Sequence, residues 1–402
     1  MVGAHERFVG GKAGGRRLSL RFSDLSELDL AGRELSDSDF TGSIFDGAHM
    51  VGVRLARATL FGCCFRRADL RQAVMIRADI RGSSLRGANL SGADLTGADF
   101  REGQIAIPHP KKGLNTVRHE KRSGDLDEAN FAGATLDESN FNGVSAFTAD
   151  FSDCSLKGAK LNGANLKDAN LSGAILDNIE FSGANLKGVR LAGAVLMGVD
   201  LPSIRMLGAD VSSCLAEPTD AASQRAESLM GIAMDARRWV ASGCREGKPA
   251  VFDGEDLRPL GARLKGAILT LMSAKGACLV GLDLSGAHLQ AANLEGADLR
   301  AVNLSGADLR GAKLMGANLA KADLRKALLS PLSLGGDRAA VSHLEGATLR
   351  YANLAGADLT RALLDRADLR GADFSGAGLR KTSVRGADIS VAVGFDFADQ
   401  AA

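Results

Sequence analysis

Large apolar residues recur at every fifth position along most of this chain. Counting from Leu20 gives Leu25, Leu30, Leu35, Phe40, Phe45, Met50, Leu55 and onward, without a failed step, to Phe100 and Ile105. Two residues before each centre usually stands a small one, as at Ala48, Ala58, Ala68, Ala78 and Ala88. The residue between them is polar. An apolar–polar–apolar step puts both apolar side chains on one face of an extended segment. A helix needs apolar positions three and four apart, which the phrase does not supply. The other two residues, commonly Ser, Thr, Arg or Lys and then Gly, suit a tight corner. Each phrase therefore predicts a very short strand plus a corner. One phrase buries almost nothing alone, so its backbone must pair with stacked neighbours.

Two further registers follow. The second runs from Leu126 to Val211 and stumbles at Ala146, where Phe147 stands beside it. The third runs from Leu264 to Ile389, with weak centres at Ala274 and Ala339. All three make about sixty repeats. The register changes divide the chain into a lead-in or cap (1–17), repeats (18–105), a basic loop (106–125), repeats (126–216), an amphipathic helix and turn (217–249), repeats (250–391) and a tail (392–402). The stretch "SPLSLGGDRAAVSH", 330–343, keeps the register and is expected to bulge from one turn of the structure.

Within 217–249, Leu229, Ile232, Ala233, Ala236, Trp239 and Val240 form one helical stripe. Thr219 or Asp220 suits its start and Gly243 its end. Phe8-Val9 corresponds to Trp239-Val240, and both are followed by a turn containing Gly and Lys and then by repeats. This reads as a duplicated unit of short helix, turn and solenoid. Trp239 is the candidate for covering an open coil end.

Composition narrows the chemistry. The chain has 402 residues, 45% apolar but only 4% aromatic. Lys plus Arg number 49 and Asp plus Glu 48, a balance that predicts no general attraction to nucleic acid or anionic membranes. No apolar run is long enough to span a bilayer. The first residues lack an apolar signal core, so the expectation is a cytoplasmic protein. Cys63, Cys64, Cys154, Cys214, Cys244 and Cys278 form no Cys-x-x-Cys pair, and none lies at metal-ligand spacing from a histidine. The six histidines are dispersed. No catalytic residue, metal ligand or cofactor is expected.

The phrases "ANLSGADLTGADF", "GADLRAVNLSGADLRGAKLMGANL" and "RADLRGADFSGAGL" resemble the pentapeptide-repeat family over about three quarters of the chain. The resemblance implies an all-β solenoid, a right-handed quadrilateral β-helix with four repeats per coil. Here it would form two stacked solenoid segments with a short helical insertion between them. With twenty residues per coil, Arg66 stacks on Arg86, Arg81 on Arg101, Asp79 on Asp99 and Asp368 on Asp388. Like charges one strand apart repel unless neighbours compensate.

The expected function is a non-enzymatic protein–protein interaction scaffold that presents charged columns to an unknown protein partner. The basic loop offers Lys111, Lys112, Arg118, Lys121 and Arg122 as candidate contacts. A homodimer through Phe395 and Phe397 of the tail is a further expectation. Some members of the resembled family mimic duplex DNA and bind type II topoisomerases such as gyrase. The acidic excess over 126–217, about six charges, is the feature that would serve such mimicry. A third reading puts ligand binding or catalysis in 212–263, the least repetitive segment.

Overall fold

The computed structural model describes residues 1–109, 113–200, 202, 204, 209, 211 and 214–395, without the side chains of 106–119. The chain forms two compact units, Met1–Glu217 and Pro218–Ala402. Each is a β solenoid with its own apolar core and its own N-terminal helix.

Phrase 87–91 of the first unit shows why each residue type is needed. The N–H of Gly87 donates to Asp127 O at 3.0 Å and that of Ala88 to Leu85 O at 2.9 Å, closing the corner. Asn89 N–H donates back to Ala68 O at 2.9 Å, and Leu90 N–H forward to Asn130 O at 2.7 Å. Ser91 N–H would be left over, but the Asn89 side chain accepts it at 3.1 Å. All five donors are therefore satisfied, as burial of a backbone requires. The Asn or Asp before each centre completes the bonding of its own corner. Gly87 has φ +64°, the left-handed corner geometry that glycine adopts freely.

Regular bridges span twenty residues, as in Ser19–Asp39, Asp24–Ile44, Asp29–His49 and Glu34–Arg54. Four bridges thus close each coil, and each side contributes one bridging residue. Among the described residues, runs of two or more strand residues occur only in hairpins. Centres stack along the bore: Phe45 lies 4.9 Å from Phe65, Phe100 4.4 Å from Phe141, and Phe131 5.0 Å from Phe151, ring to ring. Ala146, where the register stumbled, is a buried centre, and Phe147 points outward under Lys167.

The expected loop over 106–125 is instead largely a hairpin. Strands β1 (Gly103–His109) and β2 (Gly113–Arg122) pair antiparallel, Gly103 opposite Arg122 and Ile105 opposite Glu120. Asp79 bridges Asp99 at the regular interval, but the next bridge joins Ser84 to Asp125, so the segment 103–123 stands outside the coil. Ile105, counted above as the last centre of the first register, is therefore not a core centre. Leu126 takes that place, in the coil following Leu85.

In the second unit, Lys313 bridges His343 at a spacing of 30 rather than 20. The ten additional residues form an excursion containing strands β3 (Leu332–Ser333) and β4 (Ala339–Ala340). Ten is two repeat lengths, so the count by fives survives while Leu334 and Ala339 leave the core. Leu334 is exposed.

Helices α1 (Val2–Val9) and α2 (Asp220–Ala241) precede their respective solenoids. Thr219 caps α2 by accepting from Ala222 N–H. In both units a glycine of the following turn lies against the helix backbone. A Cβ at Gly15 would meet Phe8 Cα at 2.5 Å, and one at Gly247 would press on Asp235 O. The fully buried helix residue is His5 in one unit and Ala236 in the other, each three positions before the aromatic residue. His5 does what alanine cannot. Its Nδ1 accepts from Leu18 N–H at 3.0 Å, and its Nε2 lies 2.9 Å from Ser36 O. His5→Ala should cost about 2 kcal/mol, because two buried backbone groups lose their partner. Hydrogen exchange should speed up first at the amides of 16–36, and unchanged protection there would overturn this role.

Candidate interaction surface

The outward side chains follow a local rule. Where Asp precedes the centre and Arg follows it, the guanidinium folds back onto that Asp. Arg71 donates through Nε and Nη2 to Asp69 at 2.8 and 2.6 Å. The same fork joins Arg81 to Asp79, Arg101 to Asp99, Arg258 to Asp256, Arg300 to Asp298, Arg310 to Asp308, Arg325 to Asp323 and Arg370 to Asp368. The hydrogen bond from Arg71 holds the Asp69 carboxyl below its ordinary value. Asp79 does bridge Asp99, and Asp368 bridges Asp388. Asp79, Asp99 and Asp368 are each compensated by the arginine of their own repeat, whereas Asp388, followed by Ser390, is met at 3.5 Å by Arg370 of the preceding coil.

The hairpin is docked on one side of the first unit. Ile105 is buried against the corner glycines, and its Cδ1 would lie 2.6 Å from a Cβ at Gly62 and 3.2 Å from one at Gly42. Arg122 donates to Gly62 O at 2.9 Å and pairs with Glu120 at 3.2 Å. The Phe61 ring lies beneath Gly103, and Arg81 stands 5.4 Å over that ring. Of the candidate contacts, Lys121 is exposed and pairs with Glu102 at 2.9 Å, while Arg122 is half-buried and holds the hairpin down. The backbone of Arg118 lies in β2 opposite Ile107. Lys111 and Lys112 lie outside the described residues. Docking through Ile105 and the glycine column was not foreseen. The signal available was Gly42, Gly62 and Gly82 standing twenty apart.

In the second unit, α2 packs on the first coils through buried Leu229, Ala233 and Ala236 beside Ala250 and Phe252. Trp239 is half-buried. An open groove of about 290 Å³ runs along α2, with Met230, Ala233 and Ile268 among its lining and Arg237 and Arg263 at its rim. At the far end, Phe395 packs edge-on to Phe374 at 5.1 Å, and Phe397 lies outside the described residues.

Little here resembles a reactive centre. Burial pushes the Cys63 thiol up to about 12. Among the described residues, no cluster of three His, Cys, Asp or Glu side chains is arranged to hold a metal ion. No described helix is long and apolar enough to cross a membrane.

One buried acid departs from the general pairing. Asp177 is nearly covered, its Oδ1 lacks a hydrogen-bond partner, and Lys157 stands 4.0 Å from its Oδ2. Burial raises its carboxyl above the ordinary value, with Lys157 opposing. The folded state then binds this proton more readily than the unfolded chain does. Stability from this site falls as pH rises from the unfolded value through the folded one. Asp177→Asn should therefore raise stability at pH 7 by about 1 kcal/mol. The gain should fade toward pH 3 in thermal unfolding, and a gain that persists there would refute this account.

Coils closed by four parallel bridges, with small residues and large centres filling the bore, define a β-solenoid repeat protein. The family model for pentapeptide repeats matches eight copies, within 20–62, 63–101, 125–163, 164–201, 292–330 and 342–390, well over half of the chain. The chain belongs to the pentapeptide-repeat family. Among solved structures it is similar to QnrB1, a plasmid-mediated fluoroquinolone resistance protein, at 20% identity over 54% of this chain and 98% of that one, with a TM-score of 0.29. It is also similar to HetL, a pentapeptide-repeat protein involved in heterocyst differentiation regulation in the cyanobacterium Nostoc. That match has 20% identity over 96% and 92% of the two chains and a TM-score of 0.20. A pentapeptide-repeat protein of the Arabidopsis thaliana thylakoid lumen matches at 21% identity over 46% and 73%, with a TM-score of 0.13. No curated protein matches the sequence.

Proposed function

We propose that this protein is a non-enzymatic scaffold for protein–protein interaction, with the hairpin of the first unit as a principal contact. The observation that carries this reading is the contrast between the coil sides and the hairpin. On the coils, many arginines are neutralised by an aspartate of the same repeat. The hairpin, 103–123, is a separate element fixed on that rigid wall. A pre-ordered surface loses little conformational entropy on binding. Lys111, Lys112, Arg118 and Lys121 are the proposed contacts, with Arg122 as the anchor. Affinity capture with the full chain, and with a chain lacking 103–123, tests the reading. A protein retained equally by both would refute the hairpin's part.

The coils are taken to wind right-handed, as family membership implies, and a crystal structure would test the hand. A cytoplasmic location belongs to the same proposal and is tested by cell fractionation. Trp239 is proposed to finish the cover that Leu229 begins. As the sole Trp of the chain, it should shift its emission to the red when α2 detaches. A homodimer through the tail predicts that a chain ending at residue 390 scatters light as a monomer. The acidic excess over 126–217 favours a second reading, modulation of a type II topoisomerase by mimicry of duplex DNA. A gyrase supercoiling assay unaffected by micromolar protein would remove it.

A further inference from the structure

The last coils of the second unit break the pairing rule. Arg361, Arg366, Arg380, Lys381 and Arg385 are all exposed, and among the described residues none forms an ion pair. The cause is local. Two residues before Arg380 stands Gly378, and two before Arg385 stands Ser383, so neither guanidinium has an aspartate of its own repeat to fold onto. Arg361, Arg366 and Lys381 occupy the left-handed corner position, with φ of 59°, 59° and 57°. Glycine takes that geometry without strain, whereas a residue with a Cβ does not.

These cations converge on one side of the solenoid. Arg361 N–H donates to Arg380 O at 2.9 Å and Arg366 N–H to Arg385 O at 2.8 Å, so each pair stacks one coil apart. Arg361, Arg380 and Lys381 stand at one corner, and Arg366 and Arg385 at the next. The side between them carries half-buried Leu363 and Ser383. Its acid, Asp365, is engaged by the Ser383 hydroxyl and by Arg385 N–H at 3.0 Å, and lies near enough to feel Arg385 and Arg366.

We infer that this side of the second unit is a docking surface for an acidic polypeptide segment of a partner protein. The inference rests on the scaffold reading and names its chemistry. Guanidinium forks suit carboxylates. An extended segment carries alternate side chains about 7 Å apart, which lets it reach both corners across a three-residue side. The patch exposes no aromatic residue on which nucleobases stack. With a chain net charge of +1, no broad field draws in a nucleic-acid backbone.

The test uses the full chain and a fluorescein-labelled octaglutamate peptide, read by anisotropy at several salt concentrations. Binding should weaken as salt rises. Arg361→Glu with Lys381→Glu, and Arg366→Glu with Arg385→Glu, should each weaken it at least tenfold. The gentler Arg→Gln and Lys→Gln pairs should weaken it severalfold with thermal unfolding unchanged. Arg325→Gln, which removes a paired arginine, should leave it within twofold. Absence of peptide binding, or equal loss in the Arg325 variant, overturns the inference. So does tighter binding of a labelled DNA duplex through the same cations. If the peptide fails while affinity capture through the hairpin succeeds, this surface is refuted and the scaffold reading stands.

Discussion

Replacing Phe131 with Ala should destabilise the first unit by about 3–5 kcal/mol, the range for deleting a large aromatic from a packed core. Phe131 is fully buried, stacked on Phe151 at 5.0 Å and edge-on to Phe100 at 6.3 Å. The site has little freedom to collapse. Phe131 N–H is held by Asp150 O at 2.6 Å and Asn130 N–H by Ala88 O at 2.9 Å, so the wall keeps its distance from the axis. The second inward residues nearby, Ala129 and Ala134, are too small to fill the space. Phe131→Leu keeps more of the volume and should cost about 1 kcal/mol. Chemical denaturation followed by circular dichroism measures both. A loss below about 1 kcal/mol for the alanine variant would mean that the bore relaxes and that tight axial packing is not what stabilises the coil.

The bore was the most legible part of the molecule, because a period of five leaves few ways to bury a large and a small residue together. Phe45, Met50, Leu90 and Phe141 all lie where the count by fives puts them. The same count misled at Ile105, whereas the bulge expected over 330–343 is present. Ile105 fell in register by coincidence, just after the chain had left the coil at Gly103. The excursion over 330–343, expected as a bulge, keeps the count because its ten additional residues are a multiple of five. Periodicity reports phase, and an insertion of whole periods leaves phase untouched.

The surface was less legible. Columns of like charge followed from the twenty-residue coil, but their compensation did not. That required seeing that an Asp already bonded to a corner N–H also accepts a guanidinium two residues on, as Asp69 does from Arg71. With that rule in hand, the sequence does mark the arginines paired within their own repeat: Asp-x-Arg at 368–370, but Gly-x-Arg at 378–380. The helical stripe of α2 was legible too, although the half-buried Trp239 lies at its edge and Leu229 and Ala236 lie at its centre.

A chain lacking residues 103–123 should fold as a continuous solenoid and lose its partner. The junction decides the first outcome. Excision joins Glu102 to Gly124 and reads Phe100-Arg101-Glu102-Gly124-Asp125-Leu126, in which the large centres are again five apart. The coil beyond the junction is already in place, since Asp99 bridges Asn140 and Asn89 bridges Asn130 across the insertion. What excision removes is the cover over Gly42 and Gly62. Exposing that strip forfeits the burial of one Ile side chain, about 2 kcal/mol. The shorter loop offsets part of this, because ordering the excised segment no longer opposes folding. Thermal unfolding should therefore stay within a few degrees of the full chain, while affinity capture of the partner falls at least tenfold. A chain that aggregates or melts far lower would mean that the hairpin is an integral brace of the coil rather than an element carried on it. A well-folded excised chain that still captures the same partner would move the binding surface elsewhere on the solenoid.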